Sequence, residues 1–312
     1  AVMFVFAVSS YYLIKRRHVE MAKRSILVAS VFGLISFVYA GLTGDESAYN
    51  NARVQPMKLA AYEGLYEGKR GADLVAFGVM NPDKTPGDGQ DPFLVEVAIP
   101  KGLSLLGKRE FDAFIPGVND LVYGNAEENI VGYDQKIERG KQAIADLSAY
   151  KDAKKAGDAG AAEIALAQFK ENQEFLGFGY LQKPEDGIPP VQTSYYSFHI
   201  MVYLAVFFGL LCLAYLVYGI KDTIEEKRWL LPLGVLSFFL AMIASQAGWI
   251  VAEVGRQPWA IQNMLPVGVA TSNLSAGNVM TTFWMFAILF TLLLLAEIKI
   301  MLNQIKKGPE GA

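Results

Sequence analysis

The chain has 312 residues, of which 53% are hydrophobic and 19% charged, and its formal net charge at pH 7 is −3. This apolar composition is a poor match to a soluble enzyme with a single core and favours a protein that uses the lipid bilayer as its solvent. The small negative charge gives no reason to expect nucleic acid as a partner. A single cysteine, Cys212, leaves no basis in this sequence for a disulfide framework or a thiolate metal cluster.

Four apolar runs predict four transmembrane helices. They lie near residues 24–43, 195–220, 229–252 and 278–298, and each reaches or approaches the roughly 20 residues that cross a hydrocarbon core. Residues 1–14 are also apolar and end on "KRRH", as the tail of a fifth span would. A signal peptide would carry its basic residues before the apolar region. We therefore expect the sequence to be a fragment of a longer protein.

The lysines and arginines of the short loops predict the orientation. Residues 15–24, residues 221–228 and the C-terminal tail each carry several basic residues, whereas the loop 254–277 contains only Arg256. By the positive-inside rule the first three segments are cytoplasmic. Residues 44–193 and 254–277 are then extracytoplasmic, in a multi-pass protein of a cell membrane.

The long polar segment between the second and third predicted spans is large enough for a small extracytoplasmic subdomain. A short amphipathic helix is expected from Met57 to Tyr66, after Pro56. The alternation in "FLVEVAIP" predicts a strand, and residues 126–176 predict two solvated helices that separate near "KKAGDAG". We expect three parts: 1–43 with the first helices, 44–193 as the loop subdomain, and 194–312 with three transmembrane helices. The predicted fold class is all-α, a multi-pass transmembrane helical bundle with an extracytoplasmic loop subdomain.

One face of the fourth predicted span combines polar and aromatic side chains. At steps of four and three residues it carries Met242, Gln246, Trp249, Glu253 and Arg256. Pro258 predicts that the helix ends close to Arg256, with Trp259 at the membrane interface. Glu253 and Arg256 then form an interfacial ion pair, or Glu253 ligates a metal or cofactor that Arg256 helps to hold.

Further candidates lie on the third span and in the polar segment. Met201 is an ordinary apolar side chain or a soft axial ligand of haem iron. His199 is an interfacial histidine or the partner of an anion such as a propionate. Lys58 and Glu63 are solvated charges, or an anion holder and a proton acceptor for a quinol hydroxyl.

The order of the motifs resembles subunit I of cytochrome bd quinol oxidase. "GDESAY", "KLAAYE", a long polar loop, "HIM" at the start of a span and "AGWIVAEVGRQPWAIQNMLP" follow one another along the chain. The resemblance is colinear over essentially all 312 residues, and "FLVEVAIP" with "IERGKQAI" resembles the long-loop form of the family.

The resemblance implies which residues hold haem. Met201 would be an axial ligand of the low-spin haem b, and Glu253 the ligand of the high-spin haem b. Trp249 would lie between that haem and haem d, and Arg256 beside the haem propionates. The histidine partner of Met201 and the residues that hold haem d are expected upstream of this sequence. The family commonly has arginine where this chain has His199, which weakens a propionate role for that residue.

The resemblance also implies the reaction. Lys58 and Glu63 match the two loop positions associated with quinol binding and oxidation, which makes residues 44–193 the Q-loop. Gln246 stands where a glutamate is often found, so proton handling near the high-spin haems is expected to differ. The implied protein is an oxidoreductase of the bacterial inner membrane that oxidises quinol, reduces oxygen to water and generates a proton motive force. Its implied partners are subunit II, small accessory subunits and membrane lipid.

A protein of another class remains the alternative. A non-redox membrane transporter subunit with an extracytoplasmic domain would use Glu253 and Arg256 as substrate or ion contacts near the helix end.

Overall fold

The computed structural model describes residues 1–308, and they are mostly helical. The ten α-helices within this range are α1 (Val2–Ile14), α2 (Val19–Val54), α3 (Pro56–Glu63), α4 (Gly102–Lys108), α5 (Val118–Tyr123), α6 (Tyr133–Ala156), α7 (Ala159–Asn172), α8 (Val191–Ile220), α9 (Leu230–Val254) and α10 (Ala276–Lys307). The six strands in the same residues are β1 (Lys69–Arg70), β2 (Leu74–Met80), β3 (Phe93–Ile99), β4 (Phe114–Ile115), β5 (Trp259–Ile261) and β6 (Leu265–Pro266).

Four of these helices, α2, α8, α9 and α10, are long and apolar enough to cross a membrane. The predicted multi-pass helical fold is therefore confirmed. Helix α2 continues beyond its apolar part as far as Val54. It stops there because Gln55 precedes Pro56, and a residue before proline is disfavoured in helical geometry. Pro56 then occupies the first turn of α3, where its missing N–H costs nothing.

The segment between α2 and α8 is folded. The predicted strand is β3, which pairs with β2 in an antiparallel hairpin that includes the pair Gly78 and Glu96. The two predicted solvated helices are α6 and α7, separated by Gly157 in a left-handed conformation with φ of 77°. Three small two-stranded sheets, β1–β4, β2–β3 and β5–β6, are present in the described residues.

The chain divides into two compact units. Among the described residues, the first contains 1–38, 204–242 and 271–308, and the second contains 39–203 and 243–270. The core of the first unit includes Phe6, Ile26, Tyr215 and Leu231, with the Ser10 hydroxyl 2.6 Å from that of Tyr215. No residue of α10 is buried within residues 1–308, so its apolar surface is uncovered in this part of the chain.

The second unit contains every candidate site residue named from the sequence except Met242. One of its cores gathers Met57, Tyr133, Phe178, Tyr195 and Trp259 around α3 and α6. Another packs α3 against α4 and the C-terminal part of α9 through Leu59, Leu103 and Val251. Burial on both sides of α3 fixes the helix that bears Lys58 and Glu63.

Candidate functional site

Glu63 is the last residue of α3, and its carboxyl group is buried. The helix ends here because Gly64 adopts a left-handed φ of 67°, a conformation that glycine adopts at little cost. A Cβ at Gly64 would lie 2.8 Å from the Phe93 ring, so the close packing also favours glycine. Glu63 is 2% exposed, and within residues 1–308 neither of its carboxyl oxygens has a hydrogen-bond partner. The interpretation of Glu63 as a solvated charge is therefore wrong.

Burial raises the pKa of Glu63 from 4.5 to about 8, because desolvation disfavours the charged form of a carboxyl group. The group is then mostly protonated at pH 7 and releases its proton close to that pH. A carboxyl group tuned to this range is suited to general acid–base chemistry.

Lys58 lies on the same short helix and is directed towards α9. Its ammonium donates to the backbone carbonyl of Ala252 at 3.4 Å. Burial and then the nearby positive charge of Arg256 lower the pKa of Lys58, while Glu253 opposes the shift. A Cβ at Gly255 would lie only 2.5 Å from the carbonyl oxygen of Val251, so the backbone just after α9 requires glycine there. The fold thus brings Lys58 to the end of α9 from almost two hundred residues away.

Glu253 and Arg256 form an ion pair at the end of α9. Arg256 Nη2 lies 2.5 Å from Glu253 Oε2, and the two side chains are 41% and 40% exposed. Helix α9 ends at Val254, close to Arg256 as expected. Within the described residues the buried Nε of Arg256 has no hydrogen-bond partner. Arg256 therefore retains one donor for a further anionic group.

The two tryptophans near this helix end have opposite environments. Trp259, expected at the membrane interface, is instead buried at 2% exposure and packs edge-on against Phe178 at 4.9 Å between ring centroids. No local pattern indicates this contact, because Phe178 lies about eighty residues before Trp259 in the sequence. Trp249 is 64% exposed. It shares the uncovered face of α9 with Met242 and Gln246, whereas Ala247 and Val251 of the same helix are buried.

Met201 lies on α8 beside α9. Its sulfur faces Gly248, where a Cβ would be only 2.9 Å away. Gly248 precedes Glu253 by five residues, which corresponds to roughly 7.5 Å along a helix axis. The predicted thioether and carboxylate ligands therefore belong to two packed helices, with Glu253 about one and a half turns further along α9 than the contact with Met201 and on a different face of that helix.

His199 is held by the protein backbone. It is 5% exposed, with Nδ1 at 2.9 Å from the carbonyl of Tyr195 and Nε2 at 3.0 Å from that of Val75. The ring thereby ties α8 to β2. A propionate would have to displace one of these carbonyl groups to bind His199.

A cavity of about 200 Å³ lies beside Glu63. Its charged lining residues are Glu63, Glu67, Lys69, Asp73, Lys84 and Glu96. Neither Glu67 nor Glu96 is among the candidates predicted from the sequence. A signal was present for Glu96, since it is the one charged residue of the apolar strand β3.

Comparison with known proteins identifies the family. The family model described as "Cytochrome bd terminal oxidase subunit I" matches residues 1–309. The chain belongs to the cytochrome bd terminal oxidase subunit I family.

Curated relatives agree with this assignment. The chain is 32% identical to cytochrome bd-II ubiquinol oxidase subunit 1 of Escherichia coli K12, covering 99% of the chain and 60% of the relative. It is 26% identical to cytochrome bd ubiquinol oxidase subunit 1 of Bacillus subtilis 168, covering 98% of the chain and 53% of the relative. The chain thus spans just over half the length of the curated relatives it matches.

A solved structure has the same fold. The bd oxidase from Geobacillus thermodenitrificans matches with a TM-score of 0.64 and 25% identity, over 99% of this chain and 55% of that one. The expected resemblance to subunit I of cytochrome bd is therefore confirmed. Family membership favours the oxidase interpretation over the transporter alternative.

Cytochrome bd subunit I family membership implies haem, and the residues present fit such a group. The candidate donors are a thioether and a carboxylate, both established types of haem-iron or metal ligand. The unpaired buried Nε–H of Arg256 is a donor that a propionate would satisfy. Within residues 1–308 no three His, Cys, Asp or Glu side chains converge as a metal site. A haem iron does not need such a cluster, because the porphyrin supplies four ligands itself.

Proposed function

We propose that this chain is the quinol-oxidising and haem-binding part of a cytochrome bd-type quinol:oxygen oxidoreductase. The single observation that supports this most strongly is Glu63, a fully buried carboxyl group without a partner in the described residues, on the same eight-residue helix as Lys58. Quinol oxidation requires a group that accepts a hydroxyl proton and one that stabilises the oxygen as its charge grows. Glu63 and Lys58 have these two chemistries.

Lys58 is suited to hold the quinol oxygen. Its half-buried ammonium has one weak contact, the carbonyl of Ala252 at 3.4 Å, so its remaining N–H bonds are available to an anionic ring oxygen. Partial desolvation strengthens that interaction compared with one in water. Glu63 accepts the hydroxyl proton when it is ionised. Its pKa of about 8 makes it a stronger base than an ordinary carboxylate, so the proton transfer has a larger driving force.

We propose that Met201 ligates the low-spin haem b and that Glu253 ligates the high-spin haem b. Arg256 would bind a propionate through its free Nε–H while it orients the Glu253 carboxylate. Trp249 would cover the haem face on the open side of α9, and haem d would be held by residues outside this sequence. When bound, these groups supply one-electron transfer and the reduction of oxygen to water. The role of His199 near a propionate stays a prediction, since both its nitrogens face carbonyl groups.

The membrane arrangement follows from the loop charges. Residues 44–193, as the Q-loop, and residues 254–277 would be extracytoplasmic, with the C-terminus in the cytoplasm of a bacterial inner membrane. Protons leave quinol on the outside, while protons for water would come from the cytoplasm. This separation would generate a proton motive force without a pump. Subunit II is the proposed partner, together with small accessory subunits and lipid around the exposed apolar helices.

The test uses the complete enzyme with subunit II, in detergent. Glu63→Gln and Lys58→Met are compared with Glu110→Gln and Lys151→Met, which remove exposed charges elsewhere in the same segment. Loss of a positioned proton acceptor is expected to lower the rate of quinol oxidation by about 10²-fold or more, with unchanged haem absorption. The controls should retain the wild-type rate. Full quinol oxidation by Glu63→Gln would refute the assignment.

A further inference from the structure

A cavity beside Glu63 has acidic and basic residues in its lining, and some of them reach the surface. Glu63 is 2% exposed, so a proton that it takes from a substrate has no direct contact with solvent. Glu63 contributes to the lining of a cavity of about 200 Å³. Its two carboxyl oxygens are themselves covered by the described chain, so the carboxyl group must turn to meet water in the cavity. Because a water molecule occupies about 30 Å³ in the liquid, this volume accommodates several waters. Its wall is polar enough to bind them.

The three further carboxylates of the cavity differ in their ability to take a proton. Asp73 binds the ammonium of Lys69 at 2.9 Å and the backbone N–H of Lys101 at 2.9 Å. These contacts lower the pKa of Asp73, because each stabilises its charged form. Protonation of Asp73 would therefore weaken both contacts, so Asp73 is poorly suited to relay a proton.

Glu67 is also engaged. One of its oxygens accepts from the side-chain amide of Asn119 at 2.5 Å, and the Asn119 oxygen in turn accepts from the backbone N–H of Gly87 at 3.0 Å. These two hydrogen bonds hold the Glu67 carboxylate in one position in the lining of the cavity. A proton on Glu67 would weaken a short contact that the fold already provides.

Glu96 is the remaining carboxylate. It is exposed, and within residues 1–308 its side chain has no hydrogen bond or ion pair. It stands on β3 opposite Gly78, and Ala98, two residues further along the same face, also lines the cavity. Glu96 therefore faces both the cavity and solvent, and protonation costs it no existing partner.

The basic residues of the cavity do not prevent a proton from moving between Glu63 and Glu96. The ammonium of Lys84 is paired with Asp88 at 2.5 Å and lies over the Tyr66 ring at 4.9 Å. The ammonium of Lys69 is paired with Asp73. Both positive charges are thus compensated locally, which limits their repulsion of a proton in transit.

We propose that this cavity is the proton exit of the quinol site, in which water takes the proton from Glu63 and delivers it to Glu96 and then to the outer solvent. The inference depends on the proposed function, since quinol is the source of the proton. A quinol that becomes quinone loses two electrons and two protons. The electrons reduce oxygen through the proposed activity. Each proton that uses this route leaves a hydroxyl O–H bond, forms the O–H bond of the Glu63 carboxyl, passes through water to the Glu96 carboxylate and ends as a hydrated proton outside.

The experiment compares two cavity variants with two controls in the complete enzyme. Glu96→Gln removes the proposed relay, and Ala98→Leu reduces the space for water. Glu110→Gln removes an exposed carboxylate elsewhere, and Val97→Leu enlarges a residue of β3 that is 60% exposed and is not part of the cavity lining. Quinol oxidation, its deuterium solvent isotope effect and the haem absorption spectrum are measured for each variant.

Both cavity variants are expected to lower kcat about tenfold, less than the roughly 10²-fold loss expected without the primary acceptor. The KM for quinol and the haem spectrum should not change, and the isotope effect should increase. Millimolar formate should restore the rate of Glu96→Gln by carrying protons in place of the carboxylate, and it should not restore Glu63→Gln. Wild-type kcat in both cavity variants, with Glu63→Gln inactive, would overturn the exit route and leave the proposed function intact. If Glu63→Gln itself oxidises quinol at the full rate, the proposed role of Glu63 in quinol oxidation is refuted, and the exit route that depends on it is refuted as well.

Discussion

The ammonium of Lys58 lies 3.4 Å from the backbone carbonyl of Ala252, so α3 contacts the last turn of α9. The next residue of α9 is Glu253, which pairs with Arg256. Lys58, predicted for quinol, therefore contacts the helix turn that carries Glu253, predicted for haem. Electron transfer from a bound quinol to a haem requires a short distance between the two molecules.

Glu63→Gln should change the pH dependence of stability. The pKa of Glu63 is about 8 in the folded chain against 4.5 for an ordinary glutamate. Between these values the unfolded state releases a proton that the folded state retains. Stability therefore falls as pH rises from 4.5 to about 8, by up to about 1.4 kcal/mol per pH unit from this group alone, and is level above that.

The measurement is the apparent Tm of the complete enzyme in detergent from pH 4 to pH 9. Wild type minus Glu63→Gln should give a difference that becomes steadily more unfavourable to wild type up to about pH 8. Glu127→Gln, at an exposed position, should show no such trend. A flat difference for Glu63→Gln would mean that the buried carboxyl group is ionised throughout.

Gly64→Ala should destabilise the end of α3 more than Gly89→Ala destabilises its loop. Both glycines have a left-handed φ, 67° and 70°, but only at Gly64 would the new Cβ meet another side chain, at 2.8 Å from the Phe93 ring. The backbone conformation alone costs about 1–2 kcal/mol for an L-residue. Limited proteolysis of residues 44–193 reports the difference, and equal cleavage of both variants would contradict the packing around Glu63.

Trp259→Ala and Trp249→Ala should have opposite effects. Removal of a buried tryptophan costs about 3–5 kcal/mol, so Trp259→Ala should lower the apparent Tm of the complete enzyme strongly. Trp249 is exposed on α9, and its loss should leave that Tm almost unchanged while it alters the absorption of the high-spin haems. A reversed pattern would restore the interfacial role first expected for Trp259.

Arg256→Leu should reduce haem content more than stability. The Glu253–Arg256 pair is partly exposed, and such pairs contribute about 0–1 kcal/mol. The apparent Tm should therefore move little, whereas haem per protein should fall because a propionate loses its donor. Arg70→Leu breaks another exposed pair, with Glu128 at 2.6 Å, and should keep the full haem content. Normal haem content in Arg256→Leu would remove Arg256 from the haem site.

Met201→Leu should abolish the low-spin haem b spectrum while the protein still folds. A leucine has nearly the volume of methionine, and such exchanges usually cost under about 1.5 kcal/mol. Met280→Leu, on the exposed face of α10, serves as the control. The visible absorption spectrum of each purified enzyme measures the low-spin haem b. An unchanged low-spin signal in Met201→Leu would mean that another residue is the axial ligand.

The sequence by itself determined the four long apolar helices, the break at Pro56, strand β3 and the two solvated helices, because each depends on local periodicity, turn chemistry or the length needed to cross a bilayer. The ordered motifs also indicated the family. Only the tertiary structure decided that Glu63 is buried rather than solvated, that Trp259 packs inside the chain, that Lys58 reaches α9 and that Glu96 shares a cavity with Glu63. Burial and desolvation depend on residues far apart in the chain, so no local pattern contains them.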